Sequence, residues 1–298
     1  MVALITPFRD GQVDFKTLDE LIDFQIESGI DAIVPVGTTG ESPTLSHDEH
    51  KKVIERVVKT VSGEVPVIAG AGSNSTAEAI DLTSFAKKVG ADASLQVCPY
   101  YNKPTQEGFF QHFKTIAEEI DLPMVLYNIP GRCGGTGLAV ETIVKLSEIN
   151  NIIAIKEATG SLDMASSIIN SCDIVVISGD DSLTLPICAV GGKGVISVVA
   201  NIVPQDVKAM TDLILEGDFA QARRWHNKLF TLSRNILSLA TNPIPIKAAL
   251  AMLDMASEEM RLPMTALEEG KKQILRQTLI DYGLMTKEQI STHNTDKN

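Results

Sequence analysis

The sequence contains no C-x-x-C pair, no long apolar run, no basic stripe and no glycine-rich dinucleotide loop. Each absence removes a class of protein. The four cysteines, Cys98, Cys133, Cys172 and Cys188, are widely scattered. That spacing argues against a zinc site or a disulfide framework and fits a reducing cytosol. A net charge of −12 offers nothing to neutralise phosphates, which disfavours a nucleic-acid role, and the acidity reads as a solubility feature. No window approaches the ~18 apolar residues that a spanning helix needs. The apolar start "MVALITPF" is short, has no basic region before it and runs into Arg9-Asp10, so it reads as a strand rather than a signal peptide. Internal repeats and low-complexity linkers are also missing. The expected protein is soluble and cytoplasmic, with no membrane and no nucleic-acid partner.

What remains is ordinary globular composition, with 44% apolar and 21% charged residues in 298, ample for a sizeable core. Short β-branched runs recur, each closed by Gly, Pro, Asn or Asp. They begin at residue 2 (VALITPF), 32 (AIVPVGTTG), 66 (PVIAGAG), 93 (ASLQVCPYY), 123 (PMVLYNIP), 152 (IIAIKEATG), 174 (IVVISGDD) and 194 (GVISVVAN). Between them lie helical patterns such as "DFKTLDELIDFQIESG", with Phe15, Leu18, Leu21, Ile22 and Ile26 on one face. Near-continuous apolar strands imply burial on both faces, as in parallel sheets. Eight βα units in about 200 residues predict an α/β fold, a (β/α)8 TIM barrel. The absence of G-x-G-x-x-G after the first strand weakens an open doubly wound sheet. From about 204 to 290 the pattern is wholly helical. The expected division is a barrel over 1–217 and a C-terminal helical extension over 218–298, whose polar end "STHNTDKN" should fray.

Barrel chemistry sits at the C-terminal strand ends. Those ends bring together Thr38-Thr39-Gly40-Glu41, Tyr100-Tyr101, Tyr127-Asn128 with Arg132, Lys156-Glu157, Gly179-Asp180-Asp181 and Ser197, with no metal triad. Lys156 closes a buried strand. An ammonium among apolar neighbours has a lowered pKa, and its neutral amine can attack a ketone to form a Schiff base. A lysine that snorkels or pairs with Glu157 explains the placement equally well. Lys103, in a proline-flanked loop, and Lys193, in a glycine-rich turn, compete poorly.

The hydroxyls and backbone N–H groups around Thr38-Thr39 could cradle a carboxylate, or form only a βα turn with a threonine cap. Tyr127 could shuttle protons, as imine formation requires, or be a hydrogen-bonded core tyrosine. Arg132 could fork onto a substrate carboxylate or be merely solvated. His47 and His50 in "SHDEH" suggest metal ligation, but Ser46 with Glu49 reads better as a capping box, and no third ligand is visible. "GGKG" at 191 lacks Walker spacing and fits a tight turn.

The motifs "ITPF", "VGTTGESPTLSHDEH", "VIAGAGSNSTAEAI", "PYYNKPTQEG", "LYNIPGR", "IKEATG", "SGDD", "GVISV" and "NPIPIK" occur in this order over nearly the whole chain. In this set the chain resembles the pyruvate-dependent class I aldolase family typified by N-acetylneuraminate lyase and dihydrodipicolinate synthase, and it looks most like the synthase branch. The resemblance implies a lyase in lysine (diaminopimelate) biosynthesis that condenses pyruvate with L-aspartate 4-semialdehyde and needs no cofactor and no metal. It implies that Lys156 forms the Schiff base and that Thr38, Tyr127 and Tyr101 relay protons, with Tyr101 reaching a neighbouring subunit's site. Thr39 would hold the pyruvate carboxylate and Arg132 that of the second substrate, while the backbones of Gly179 and Ile196 line the pocket. It further implies inhibition by L-lysine bound at Ser42, His47, His50, Asn74, Glu78 and Tyr100, with Glu78 on the effector's ammonium and Asn74 and Tyr100 on its carboxylate. The assembly it implies is a homotetramer, a dimer of dimers.

Two features depart from the family. The chain starts at the first strand without the usual Gly-Ser/Thr lead-in, which leaves that strand poorly anchored or the recorded start late. Cys133 stands where threonine is often found, which puts the hydrogen bonding of the arginine loop in question. Two other functions stay open at this point: a pyruvate aldolase acting on N-acetylneuraminate or a 2-keto-3-deoxy acid, and a non-catalytic lysine-sensing scaffold. Arg132 counts against the first and the full catalytic set against the second.

Overall fold

Eight parallel strands close into a barrel because each run of the chain pairs with the next and the last pairs with the first. The computed structural model describes residues 1–286, so the polar end "STHNTDKN" lies outside the described residues. β1 (Val2–Ala3) is followed by a hairpin, β2 (Phe8–Arg9) with β3 (Gln12–Val13), and by β4 (Ile33–Val34). The remaining named strands are β5 (Ile68–Gly70), β6 (Ala93–Val97), β7 (Met124–Asn128), β8 (Ile152–Glu157) and β9 (Val175–Ser178). β1 pairs with β4 in parallel, and β5 to β9 form a parallel sheet in chain order. Single parallel bridges complete the ring, from Ile33 to Val67, from Ser178 to Val195 and from Val2 to Ser197. Residues 195–197 are the eighth strand. All eight strand runs read from the sequence are present.

The first strand is well anchored, contrary to the expectation raised by its missing lead-in. Val2 N–H donates to Ala32 O (3.1 Å), Ala3 N–H to Ser197 O (2.8 Å) and Ser197 N–H to Met1 O (3.0 Å). The hairpin was not foreseen. Its turn, Asp10-Gly11, has positive φ at both residues (53° and 76°), the conformation that an Asp-Gly pair favours between two antiparallel strands.

Helices α1 (Phe15–Glu27), α2 (His47–Val61), α3 (Thr76–Val89), α4 (Gln106–Glu119), α5 (Val140–Ser147), α6 (Leu162–Ser171), α7 (Thr184–Ala189) and α8 (Pro204–Leu215) follow successive strands. α9 (Phe219–Ser238), α10 (Ile244–Met252) and α11 (Glu269–Tyr282) make the added helical layer. On α1, Leu18, Leu21 and Ile22 are buried as expected, while Phe15 and Ile26 are only half-buried. Gln25 completes the buried face by donating to Ala200 O (2.8 Å), a position that apolar periodicity could not reveal.

The period-2 alternation of each strand separates two cores. Ala3, Val34, Ile68, Leu95, Val125, Tyr127, Ala154, Ile177 and Ile196 cluster together inside the barrel. Their strand neighbours Leu126, Ile155 and Val176 join Phe109, Phe113, Ile143 and Ile168 of the surrounding helices. Both faces are therefore apolar, which is why the strands read as unbroken runs. A third cluster joins Val2, Ile33 and Val207 to Leu232, Ile246, Leu275 and Leu279, so the C-terminal layer shares the barrel's core.

Candidate active site

Lys156 and Tyr127 are register partners across β8 and β7. Each stands two residues beyond an inward-facing apolar residue, Ala154 and Val125, so the alternation aims both side chains inward. Lys156 Nζ lies 4.2 Å from the centroid of the Tyr127 ring, and both residues are buried. Burial lowers the Lys156 pKa to about 8, with Asp181 pulling it partly back up and Arg132 pushing further down. Burial raises the Tyr127 pKa to about 12, against Arg132 and the Thr38 hydroxyl, which lower it. At neutral pH Tyr127 is a phenol, a proton donor, beside an amine that is neutral in a useful fraction of molecules.

Pairing with Glu157 does not explain Lys156. The Glu157 carboxylate accepts from Thr159 N–H (2.7 Å) and from Asn128 Nδ2 (3.2 Å). Asn128 in turn accepts from Leu138 N–H through Oδ1 (3.0 Å), which ties down the loop that carries Arg132. Gly179 keeps the space beside the lysine. A Cβ there would meet Ala158 Cβ at 2.6 Å and Lys156 Cε at 3.2 Å. Ile196 is buried and donates its N–H to Ser178 O (3.0 Å). Asp181 is buried too, accepting from Val198 N–H (2.9 Å) and from Ser197 Oγ. Asp181 stands at a strand end, as expected from the sequence, which attaches no role to it.

Thr38 and Tyr127 line one small cavity, of about 30 Å³. Thr38 and Arg132 line another, of about 120 Å³, with Asn242, Pro243, Pro263 and Met264. Thr39 is buried and its Oγ1 accepts from Asn242 Nδ2 (3.0 Å), while Arg132 Nη2 donates to the Asn242 carbonyl (2.9 Å). Asn242 was missed in the sequence beyond its place in "NPIPIK". Cys133 is integrated rather than disruptive. It is fully buried, and its S–H donates to Cys98 O (3.0 Å). Burial raises its pKa to about 11, so it stays a thiol. Tyr101 stands apart, 89% exposed with φ 71°, and does not enter the site of its own chain.

A third cavity, of about 170 Å³, gathers five of the six residues expected to bind an effector: Ser42, His47, His50, Glu78 and Tyr100. Asn74 stands at its edge, its Nδ2 donating to Tyr100 O (3.1 Å). Glu78 already pairs with His47 Nε2 (2.7 Å) and accepts from Ser73 Oγ. His50 is buried against Gly70 O (2.7 Å), and burial lowers its pKa. The capping box is present as well, with Glu49 N–H on Ser46 Oγ (3.3 Å) and Ser46 N–H on Glu49 Oε2 (2.9 Å).

A family model, the Dihydrodipicolinate synthetase family, matches residues 1–281. The 4-hydroxy-tetrahydrodipicolinate synthase of Geotalea uraniireducens is 54% identical over 287 residues, covering 96% of this chain and 98% of that protein. That of Methanocaldococcus jannaschii is 55% identical over 284 residues, covering 95% and 98%. Among solved structures, the chloride-inhibited dihydrodipicolinate synthase of Acinetobacter baumannii complexed with pyruvate superposes with a TM-score of 0.93 at 44% identity, covering 95% of this chain and 98% of that chain. The dihydrodipicolinate synthase of Cyanidioschyzon merolae with lysine bound gives 0.91 at 42% identity, covering 95% and 97%.

Proposed function

Because the chain belongs to the dihydrodipicolinate synthetase family, we propose that it is a 4-hydroxy-tetrahydrodipicolinate synthase, condensing pyruvate with L-aspartate 4-semialdehyde through a Schiff base on Lys156. The observation that carries this reading is the pair at the β7–β8 register: a buried lysine with a pKa of about 8 over the ring of a tyrosine that remains a phenol.

The neutral Lys156 amine attacks the ketone carbon of pyruvate, and Tyr127 donates the proton that lets the hydroxyl leave as water. The resulting iminium draws electrons from the C3–H bond, and loss of that proton gives an enamine. The enamine carbon attacks the aldehyde of the second substrate, whose oxygen takes up a proton. The substrate's amino group then displaces Lys156 and closes the ring. Thr38 and Tyr101 pass protons between Tyr127 and solvent, with Tyr101 acting across a subunit boundary. Its exposure in the single chain supports that role. Thr39 holds the pyruvate carboxylate, the backbones of Gly179 and Ile196 line the pocket, and Arg132 receives the carboxylate of the semialdehyde. The names of the relatives favour this synthase over a sugar-acid aldolase.

L-Lysine is the proposed inhibitor, bound in the cavity of Ser42, His47, His50, Glu78 and Tyr100 with Asn74 at its edge. The lysine-bound relative supports this reading. The effector's ammonium would compete with His47 for Glu78. The proposed assembly is a homotetramer. No helix among the described residues is long and apolar enough to cross a membrane. We place the enzyme in the cytoplasm, where its unpaired cysteines stay reduced.

The test is turnover of pyruvate with aspartate semialdehyde, followed with a coupled reductase, with and without L-lysine. Turnover that falls with lysine supports both sites, and turnover indifferent to lysine removes the effector. A folded sample with no turnover, but with activity on sugar acids, overturns the synthase reading.

A further inference from the structure

The most unusual feature outside the proposed machinery is a second buried lysine. Lys247, in α10, is fully buried in an otherwise apolar helix. Its Nζ donates to Glu41 Oε1 (2.5 Å) and to Thr6 O (3.0 Å), and stands 4.4 Å from the Phe8 ring centroid. Glu41 is equally buried and also accepts from Arg261 N–H (3.4 Å). Arg261 stacks on the same Phe8 ring and forks onto Glu49 (2.6 and 2.8 Å).

Glu41 ends the turn that carries Thr38 and Thr39. This turn holds non-glycine residues at positive φ on either side of the two threonines, Val36 at 47° and Glu41 at 55°. Backbone in that region persists only where its surroundings over-determine it. Here they do so at several points. Thr6 Oγ1 donates to Gly40 O (2.7 Å), Lys247 holds the Glu41 carboxylate, and Asn242 Nδ2 holds Thr39 Oγ1 (3.0 Å). Gly40 packs so closely that a Cβ would meet Val36 Cα at 2.9 Å. Asn242 and Lys247 belong to the same short stretch at the start of α10. One rigid element of the C-terminal layer therefore grips the turn at Thr39 and again at Glu41. A buried ion pair supplies little net stability over an apolar pair of the same shape, because both ions must be desolvated. What it supplies is a fixed geometry.

We propose that Glu41, Lys247 and Asn242 are positioning residues for the reaction, acting through Thr39 to set the site that holds the carboxylate of pyruvate. The inference rests on the reading of Thr39 given above and adds the device that places it. Loss of the device weakens ground-state and transition-state binding alike, so it acts on KM for pyruvate more than on kcat.

The experiment measures KM and kcat for pyruvate, at saturating aspartate semialdehyde, in the full chain and four variants, with the Tm of each. Thr39→Ala is the reference. Glu41→Gln with Lys247→Met removes both charges and leaves neither buried alone, so it separates positioning from stability. Asn242→Ala removes the second grip without touching the ion pair and decides the matter should the double variant not fold. Folded variants with KM for pyruvate raised about tenfold and kcat within about threefold are expected. Restoration of much of the loss by Asn242→Asp, whose carboxylate can accept from the Thr39 hydroxyl, would add support. Unchanged KM in the folded variants while Thr39→Ala raises it overturns the clamp alone, as does a fall in kcat without a change in KM. A parental KM in Thr39→Ala overturns the reading of Thr39, and the clamp with it.

Discussion

Two lysines are buried among the described residues, and the molecule treats them in opposite ways. Lys247 has a carboxylate at 2.5 Å, a backbone carbonyl and an aromatic face. Lys156 has an aromatic face and, among the described residues, no hydrogen bond or ion pair to its Nζ. Burial lowers the pKa of both, but Glu41 opposes the shift at Lys247 directly, while at Lys156 the nearest help is the less immediate Asp181. The difference shows that burial alone does not make a nucleophile. Burial with a bonded counter-ion gives a fixed cation, and burial without one gives an amine that can lose its proton near working pH.

The largest effect separates the two by replacing each with methionine. Lys156→Met should remove the pyruvate adduct trapped by borohydride and lower kcat by at least about 10³-fold, with Tm unchanged or raised, since a desolvated amine has gone. Lys247→Met should instead strand the Glu41 carboxylate and destabilise the fold by about 3–5 kcal/mol. Equal losses of Tm in the two variants would erase the contrast.

The contrast also has a pH signature. The folded pKa of Lys156, about 8, lies below the ordinary lysine value of 10.5. The neutral fraction rises through about pH 8, so kcat/KM for pyruvate should climb between pH 7 and 9. The sign for stability follows from the same shift. Between about pH 8 and 10.5 the unfolded chain binds a proton that the folded chain does not, so this group's contribution to stability rises with pH across that window, and its penalty is full below it. An ascending limb near 10.5 would mean that burial leaves the Lys156 amine as basic as a solvated lysine and would remove its share of the contrast.

Gly179→Ala sharpens the comparison sterically, because the added methyl falls 2.6 Å from Ala158 Cβ and 3.2 Å from Lys156 Cε. A displaced nucleophile should lower kcat/KM by about 10–100-fold, read by steady-state kinetics and by a slower rate of borohydride trapping. The smallest effect lies at the edge of the Lys247 network. The Arg261 fork and the Ser46 cap hold Glu49 with a pKa of about 2. Ser46→Ala should cost about 1 kcal/mol through the lost cap, read as a small fall in Tm, and leave kcat unchanged.

Much of this was legible because it is local. A βα repeat needs only period-2 and period-3.6 patterning and turn residues, and Lys156 could be placed because an apolar run ends at it. The inward aim of Tyr127 followed once its strand was paired with that of Lys156. The Lys247 site carried a sequence signal that went unread. "IPIKAALAM" is apolar around its whole circumference, so a charge within it must be buried and therefore partnered. The identity of that partner was not available, because Glu41 lies 206 positions away.

The sequence by itself determined the strand and helix order, the place of Lys156 at the end of a buried strand, and which residues stand at the strand ends, since each depends on neighbours within a few residues. The tertiary structure alone decided that the first strand is held on both sides by Ala32 and Ser197, that Asn242 reaches both Thr39 and Arg132, and that one buried lysine is neutralised by a carboxylate while the other is left without one. The physical reason is that desolvation and Coulomb attraction depend on distance in space, and closing the barrel brings together groups whose separation along the chain says nothing of how near they stand.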